Sequence, residues 1–293
     1  MLEFKPVQIT DRQLLMQYLH QKGQYGCDNS FVNYFLWQEA YQTKIALFRG
    51  ALVTSCHRWG EDFLMVPLGL KSKDYPFLAE ELRQYTNGKV QFDGIYENQI
   101  DIVKGMFPTA EFSFSPDNSD YIYLQSELST FAGRKFHGQK NHLNAFYRAH
   151  PDATYEVIDE SNGEECLDFA LAWCDERSAV DVTIADEKMA LIKAFQYYEE
   201  LELRGGAIRF DGEIQAMSIG DRFLDDVADL HFEKANKSVR GLYVAMCQAF
   251  AKNAWGDVKY LNREEDMGIA GLRSAKEMLH PIMMWKKYSA IVK

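Results

Sequence analysis

The chain has 293 residues, 47% of them hydrophobic and 14% aromatic, which is enough apolar material for two cores of ordinary domain size. Its net charge of −11 argues against a long nucleic acid or an anionic lipid surface as partner. The five cysteines are odd in number and form no CxxC pair, so we expect reduced thiols rather than a disulfide framework or a zinc site.

The first half alternates helical patterns with short strands. Apolar residues at helical spacing follow the capping groups Thr10-Asp11 and Asp28-Asn29-Ser30, which predicts two opening helices. The dipeptides Arg49-Gly50 and Trp59-Gly60 separate three strand-like runs, a pattern typical of hairpins. The further predicted elements are strands 44–48, 51–57 and 63–67, helix 75–85, strand 90–95, helix 99–106 and strand 121–124.

The second half partly repeats this order, with a turn at Asp211-Gly212 inside a three-strand meander. The predicted elements are a joining helix 131–149, strand 154–158, helices 163–177 and 186–202, strands 206–210, 213–220 and 227–233, helix 241–254, strand 258–261, helix 270–279 and strand 280–290. Two sets of helices and strands in one chain predict an α/β (α+β) fold with two domains, 1–127 and 128–293. No repeat is visible in the sequence itself.

The segment from His231 to Asn236 ends one of the meander strands. Period-two alternation places His231 and Glu233 on one face of that strand. Either side chain is chemically suited to accept a proton as a general base. The alternative is that the two residues form a structural pair at the end of the sheet.

A turn with basic residues, Lys237 to Gly241, precedes the helix 241–254. Backbone N–H groups at a helix N-terminus bind phosphate, so Asn236, Arg240 and Gly241 are candidate phosphate-binding residues. Only one glycine is present here, and an ordinary turn is the alternative.

Five polar residues follow the strand 258–261. Charged groups at the carboxyl end of a strand, beside the N-terminus of a helix, are typical of a site. We expect these groups near Glu233, with Asp266 as a third candidate base and the others as substrate-binding groups. The alternative is a self-satisfied ion network. The candidates are Asn262, Arg263, Glu264, Asp266, Arg273 and Lys276.

No acidic residue occurs from Leu128 to Pro151, although the protein as a whole is acidic. Arg134, Lys135, Lys140 and Asn141 in this stretch therefore indicate an anionic partner, such as a phosphate of CoA, a tRNA acceptor end or a carboxylate. A solvated helix face is the alternative. The seven histidines form no metal-ligand cluster in the sequence, so we expect no metal site.

Three segments carry a family resemblance: Gly133 to Asn144, His231 to Tyr243, and Asn262 to Lys276 with His280-Pro281 after it. The chain resembles a family of uncharacterised bacterial proteins related to the C-terminal domain of phosphatidylglycerol lysyltransferase. More distantly it is similar to Fem aminoacyltransferases and other GNAT-like acyltransferases. The resemblance implies two tandem GNAT-like domains, each a mixed sheet with helices on both faces. It also implies that the strand bearing Glu233 splays from its neighbour to admit an acyl donor.

The expected function is transfer of an acyl or aminoacyl group from an activated ester or thioester to an amine or hydroxyl. Acyl-CoA or aminoacyl-tRNA is the expected co-substrate, and no tightly bound cofactor is expected. The alternative is a non-catalytic GNAT-like ligand-binding or regulatory protein. The lysyltransferases carry a large membrane domain, whereas no run here reaches transmembrane length and no signal peptide is visible. We therefore expect a cytoplasmic protein; its oligomeric state has no sequence signal.

Overall fold

The chain forms two compact units in a computed structural model that describes residues 2–177 and 183–293. The first unit comprises Met1–Asp120, Glu265–Ala270 and Met284–Lys293, and the second comprises Tyr121–Glu264 and Gly271–Met283. The predicted division at residue 127 treats each domain as one continuous segment and stays a prediction. The two units differ from this division because the segments Glu265–Ala270 and Met284–Lys293 belong to the first unit, together with the N-terminal residues.

Twelve strands and ten α-helices lie within the described residues. The strands are β1 Lys5–Pro6, β2 Lys44–Phe48, β3 Ala51–Arg58, β4 Glu61–Leu64, β5 Gln91–Tyr96, β6 Ala110–Leu124, β7 Thr154–Val157, β8 Arg204–Phe210, β9 Glu213–Leu224, β10 Val227–Ala235, β11 Tyr260–Asn262 and β12 Met283–Val292. The helices are α1 Arg12–Leu19, α2 Phe31–Leu36, α3 Tyr75–Tyr85, α4 Ile100–Met106, α5 Gln125–Leu128, α6 His137–Ala149, α7 Gly163–Asp175, α8 Ile184–Gln196, α9 Leu242–Ala254 and α10 Ala270–Glu277.

The first unit holds a mixed sheet in the order β1-β2-β3-β4-β5-β12-β6. Strands β4 and β5 are parallel at Leu64 and Phe92, while β1 to β4 pair antiparallel in sequence and β12 pairs antiparallel with β5. The core lies between this sheet and helices α3 and α4, because their apolar faces supply fully buried Leu78, Leu82 and Val103. The unit is therefore a mixed sheet packed by amphipathic helices.

In the second unit the strands run in the order β6-β11-β10-β9-β8-β7; β10 pairs parallel with β11, and the other neighbouring strands pair antiparallel. Its core is aromatic, with Phe223, Phe232, Phe250 and Trp255 at most 1% exposed. A parallel pair needs a crossover connection, and the apolar helix α9 supplies it. The predicted α/β fold, with mixed parallel and antiparallel strands and helices, is confirmed.

The hairpin turn between β8 and β9 shows how local sequence sets the strand register. Asp211 has φ 52° and Gly212 has φ 82°. Positive φ at both central residues defines the type I′ turn, whose twist matches that of the flanking strands. The Asp-Gly dipeptide thus predicts this hairpin correctly.

The joining helix was predicted too long at its start. Phe131 and Gly133 have φ 46° and 97°, so residues 131–133 are outside the helix and α6 begins at His137 after a short 3₁₀ turn, Arg134–Phe136. A residue in the left-handed backbone conformation cannot be part of a right-handed helix, because it interrupts the i→i−4 hydrogen bonds. None of the helices within residues 2–177 and 183–293 combines the length and apolarity needed to cross a bilayer.

Candidate functional site

The parallel strands β10 and β11 pair over only three positions, ending at Asp229 opposite Asn262. Strand β10 continues to Ala235, whereas β11 stops at Asn262 and the chain turns away. His231 and Glu233 therefore lie beyond the last pair, and Arg263 and Glu264 begin the segment that leaves β11. We call the space between these two diverging stretches the β10–β11 gap.

An ion pair bridges the β10–β11 gap. Nη2 of Arg263 donates to Oε1 of Glu233 at 2.8 Å and Nη1 donates to Oε2 at 3.2 Å, with both side chains 12% exposed. Nη1 also lies 3.0 Å from the sulfur of Cys247 on α9. Burial opposes the charged guanidinium, but the carboxylate outweighs it and raises the pKa of Arg263. The two predicted residues thus meet, as parallel pairing of their strands requires.

His231 lies in a buried network of carboxylates. Its Nε2 is 2.8 Å from Oδ1 of Asp221 on β9, and its Nδ1 is 3.0 Å from Oε1 of Glu264 and 3.9 Å from Oδ2 of Asp229. Burial alone lowers the pKa of His231, but the bonds to Asp221 and Glu264 prevail and raise it well above its usual value. An imidazolium has no lone pair to accept a proton, so this state favours a positioning role over that of a base.

The chain that leaves β11 is fixed in an unusual backbone conformation. Glu264 has φ 55°, and its N–H donates to Oδ1 of Asn262 at 2.6 Å. The ammonium of Lys276 binds the carbonyl oxygen of Arg263 and, at 3.1 Å, that of Glu264. Lys276 was predicted to bind an anionic substrate, but its ammonium instead contacts backbone carbonyls. Strain of this kind, held by several contacts, is common at functional sites.

Three further candidate residues take no part in the contacts described above. Asp266 is fully buried in the first unit, where its Oδ1 accepts the N–H of Gly268 at 2.8 Å. Arg273 is half-buried on α10 in the second unit. Asn236 donates to Oε1 of Gln215 at 3.0 Å and accepts from Ser238, and it thereby caps the turn after β10. The role of Asp266 as a base, and the roles of Arg273 and Asn236 in substrate binding, stay predictions.

The lysine and arginine side chains between Leu128 and Pro151 are exposed. Lys135 forms a salt bridge with Glu127 at 2.7 Å, and Asn141 lies 3.2 Å from Nδ1 of His137 one turn before it. Arg134 and Lys140 are exposed as well. These contacts are those of a solvated helix face, and they leave the side chains accessible to an anionic partner.

Gly241 fixes the approach of α6 to α9 within the second unit. It has φ 85°, and a Cβ there would lie 2.6 Å from the carbonyl oxygen of His142 and 3.2 Å from Cβ of Phe146. Close packing of α6 on α9 therefore requires a glycine at position 241, whether or not this turn binds phosphate. Arg240, its neighbour, is exposed.

Replacement of Gly241 by Ala is expected to lower the free energy of unfolding by about 3 kcal/mol, because left-handed strain adds to a backbone clash. Urea denaturation measures this change. Gly138→Ala on α6 is the matched control, since its Cβ meets nothing within 4 Å, and it should stabilise by about 0.5–1 kcal/mol. Equal effects of the two substitutions would contradict the packing role.

Sequence reasoning missed a second buried charge cluster, which lies in the first unit. The ammonium of Lys287 is 2.8 Å from Oδ1 of Asp120, 3.1 Å from Oδ2 of Asp28 and 3.2 Å from the sulfur of Cys27. Burial raises the pKa of the Cys27 thiol, as does nearby Asp120, which makes it a poor nucleophile. The available signal was the pair Lys286-Lys287 inside the largely apolar run from Met283 to Val292.

Two sets of side chains have metal-ligating types in proximity. Asp221, Asp229 and His231 offer ligand atoms within 4.8 Å of one another, as do Cys27, Asp120 and Glu265. In one set the Lys287 ammonium contacts Asp120 and Cys27, and in the other the bonds to Asp221 and Glu264 raise the pKa of His231 and so favour its charged form. These internal cations supply the charge balance that a metal would otherwise give. The absence of a metal site stays a prediction.

A cleft of about 350 Å³ lies beside β7, α7 and α8, and none of the predicted site residues lines it. Ile158, Leu167, Phe195 and Tyr198 give it an apolar floor, with acidic side chains such as Glu164 among its lining residues. Acidic side chains at the first turn of α7 are also explained by the helix dipole. We therefore place the candidate site at the β10–β11 gap, where the strand geometry and the buried charges coincide.

Known structures share this architecture. A conserved protein of unknown function from Bacteroides thetaiotaomicron is 31% identical, with full coverage of both chains and a TM-score of 0.92. The L-PGS structure from Bacillus licheniformis is 15% identical over 99% of this chain and 93% of that one, with a TM-score of 0.68. A tandem GNAT protein from the clavulanic acid biosynthesis pathway is 10% identical over 99% and 98%, with a TM-score of 0.53. The last two establish the fold, and they confirm the tandem GNAT-like prediction.

A curated relative, an uncharacterised protein of Mycoplasmoides gallisepticum, is 20% identical over 173 residues, which are 58% of this chain and 55% of that protein. The chain thus matches about half the length of that relative. The family described as phosphatidylglycerol lysyltransferase, C-terminal, matches residues 20–291. This match confirms the resemblance carried by the three sequence segments and, with the GNAT-like fold, indicates a transferase family. The chain belongs to the phosphatidylglycerol lysyltransferase C-terminal family.

Proposed function

We propose that the protein transfers an acyl or aminoacyl group to an amine or hydroxyl, with the reaction centre at the β10–β11 gap. The observation that carries this proposal is the divergence of two parallel strands after Asp229 and Asn262, with Glu233 and Arg263 beyond the last pair. In a GNAT-like sheet an acyl donor enters such a gap. The family and fold given above support a transferase.

In this proposal the acceptor attacks the carbonyl carbon of the donor directly. A C–N or C–O bond forms, the bond to the thiol or ribose oxygen breaks, and Glu233 takes the proton that the acceptor loses. Backbone N–H groups of β10 beyond its pairing with β11 stabilise the oxyanion, and the proton then passes to the leaving group. Positioning of donor and acceptor supplies the rest of the acceleration.

The co-substrate is proposed to be an acyl-CoA or an aminoacyl-tRNA acceptor end. Both carry phosphates, and the exposed cations Arg134, Lys135, Lys140 and Arg240 suit such groups. A cytoplasmic location fits either donor, and Arg273 remains a proposed contact for the acceptor.

The test is a transfer assay with labelled acyl-CoAs and aminoacyl-tRNAs against a panel of amines and hydroxyl compounds. For any active pair, Glu233→Gln should reduce kcat by about a hundredfold, the lower end of the range for loss of a general base. Glu277→Gln, an exposed carboxylate on α10, is the matched control and should retain full activity. Melting curves for each variant separate loss of the base from loss of the fold. Full activity of folded Glu233→Gln rejects Glu233 as the base.

The second candidate function is ligand binding without catalysis. One observation favours it: Arg263 donates two hydrogen bonds to the Glu233 carboxylate, so that carboxylate is already paired and is less available as a base. A ligand that raises the melting temperature while no acceptor is modified in the assay above supports this alternative.

A further inference from the structure

We propose that a phosphate oxyanion entering the β10–β11 gap displaces Glu233 from Arg263, so that donor binding itself releases the base. This inference rests on the proposed function and adds an order to it. The anion binds first, and only then can Glu233 accept a proton. In this proposal the ion pair is the resting state of the site.

The geometry of the pair suits such an exchange. Arg263 presents two N–H groups to Glu233 in the forked arrangement that binds phosphate as well as carboxylate. A buried guanidinium stays charged and needs an anion beside it, and a phosphate oxygen meets that need as Glu233 does. The exchange therefore leaves the charge on Arg263 balanced throughout.

Arg263 is also held in place by contacts that do not involve Glu233. Its Nη1 lies 3.0 Å from the sulfur of Cys247, and the ammonium of Lys276 binds its carbonyl oxygen. Its N–H donates to the carbonyl of Tyr121 at 3.0 Å. The guanidinium therefore keeps its position when its anionic partner changes, and a preorganised donor loses little entropy on binding.

Glu233 is less enclosed than its neighbour on β10. Its side chain is 12% exposed, whereas Phe232 beside it is 1% exposed. A rotation about its side-chain bonds moves the carboxylate from Arg263 into the gap, where the acceptor would lie. The base is then charged and unpaired at the moment when it is needed.

The experiment measures thermal stabilisation by inorganic pyrophosphate, with ionic strength matched by sodium chloride. Glu233→Gln should bind pyrophosphate about tenfold more tightly than the wild type, because the internal competitor is gone and the binding-competent fraction rises. The double variant Glu233→Gln/Arg263→Gln keeps a neutral pair of similar size and should lose the response. A purely structural ion pair predicts no gain of affinity in Glu233→Gln, and that result overturns the proposal.

Two sets of controls identify the residue that binds the anion and the kind of molecule that supplies the phosphate. Lys104→Gln and Lys252→Gln, both at exposed cations that have no proposed role in binding, should leave the gain in Glu233→Gln unchanged, and loss of that gain in either variant overturns the assignment to Arg263. Parallel titrations with coenzyme A and glycerol phosphate show whether the phosphate belongs to a thioester donor or to a lipid headgroup fragment. Because these are binding measurements, anion exchange can hold while the transfer assay fails, and a transfer activity that requires Glu233 can hold while anion exchange fails.

Discussion

Replacement of Lys287 by Met is expected to lower the free energy of unfolding by about 3–5 kcal/mol, the usual cost of removing one partner from a buried charge pair. The Lys287 side chain is 6% exposed, and Asp120 beside it is fully buried. Burial opposes the charged ammonium, but Asp120 and Asp28 outweigh it and raise the pKa of Lys287. Without the ammonium these carboxylates are left desolvated and mutually repulsive.

Urea denaturation of Lys287→Met is the measurement. Lys286→Met is the matched control, since it makes the same substitution one position earlier at an exposed side chain, and it should change stability by less than about 0.5 kcal/mol. The double variant Lys287→Met/Asp120→Asn should be more stable than the sum of the single effects, because it also removes a charge that lost its partner. Additive effects would show that Lys287 does not neutralise Asp120.

Replacement of His231 by Gln is expected to cost a comparable amount, about 3–5 kcal/mol at neutral pH. The His231 ring joins Asp221 to Glu264, and its loss leaves these carboxylates and Asp229 facing one another. His142→Gln on the exposed face of α6 is the control and should be nearly neutral.

The cost of His231→Gln should also depend on pH. The pKa of His231 is raised in the folded protein, so the folded state binds its proton more tightly than the unfolded state does. The stability it contributes is complete below the unfolded pKa of about 6.5 and is lost as the pH rises through the folded pKa. The difference between wild type and variant should therefore shrink from neutral toward alkaline pH. A constant difference would show that the folded ring is neutral.

Local patterns determine most of the elements. Helix α3 follows from its apolar spacing, and it begins at Tyr75 and ends at Tyr85 as predicted. The β8–β9 hairpin follows from the turn residues Asp211-Gly212. These predictions succeed because helix periodicity and turn chemistry depend on neighbours within a few residues. The start of the joining helix fails because positive φ at Phe131 has no signal in that residue type.

The meeting of Glu233 and Arg263 could also be anticipated, because parallel strands bring their carboxyl ends to the same edge. Their bidentate pairing, the raised pKa of His231 and the left-handed backbone at Glu264 could not be anticipated. These features depend on which groups surround a side chain in the folded protein. Burial also shifts the pKa of an ionisable group, and the sequence does not show which groups are buried together.

The sequence by itself determined the α/β fold class, the order of the elements and the family, because these depend on periodicity, turn residues and short motifs. Only the tertiary structure decided which charges are neighbours. Cys27, Asp120 and Lys287 are separated by most of the chain, yet they lie within 3.4 Å of one another in pairs. Such contacts arise when a sheet brings distant strands side by side, and the low polarity of the interior then makes each unbalanced charge costly enough to require a partner.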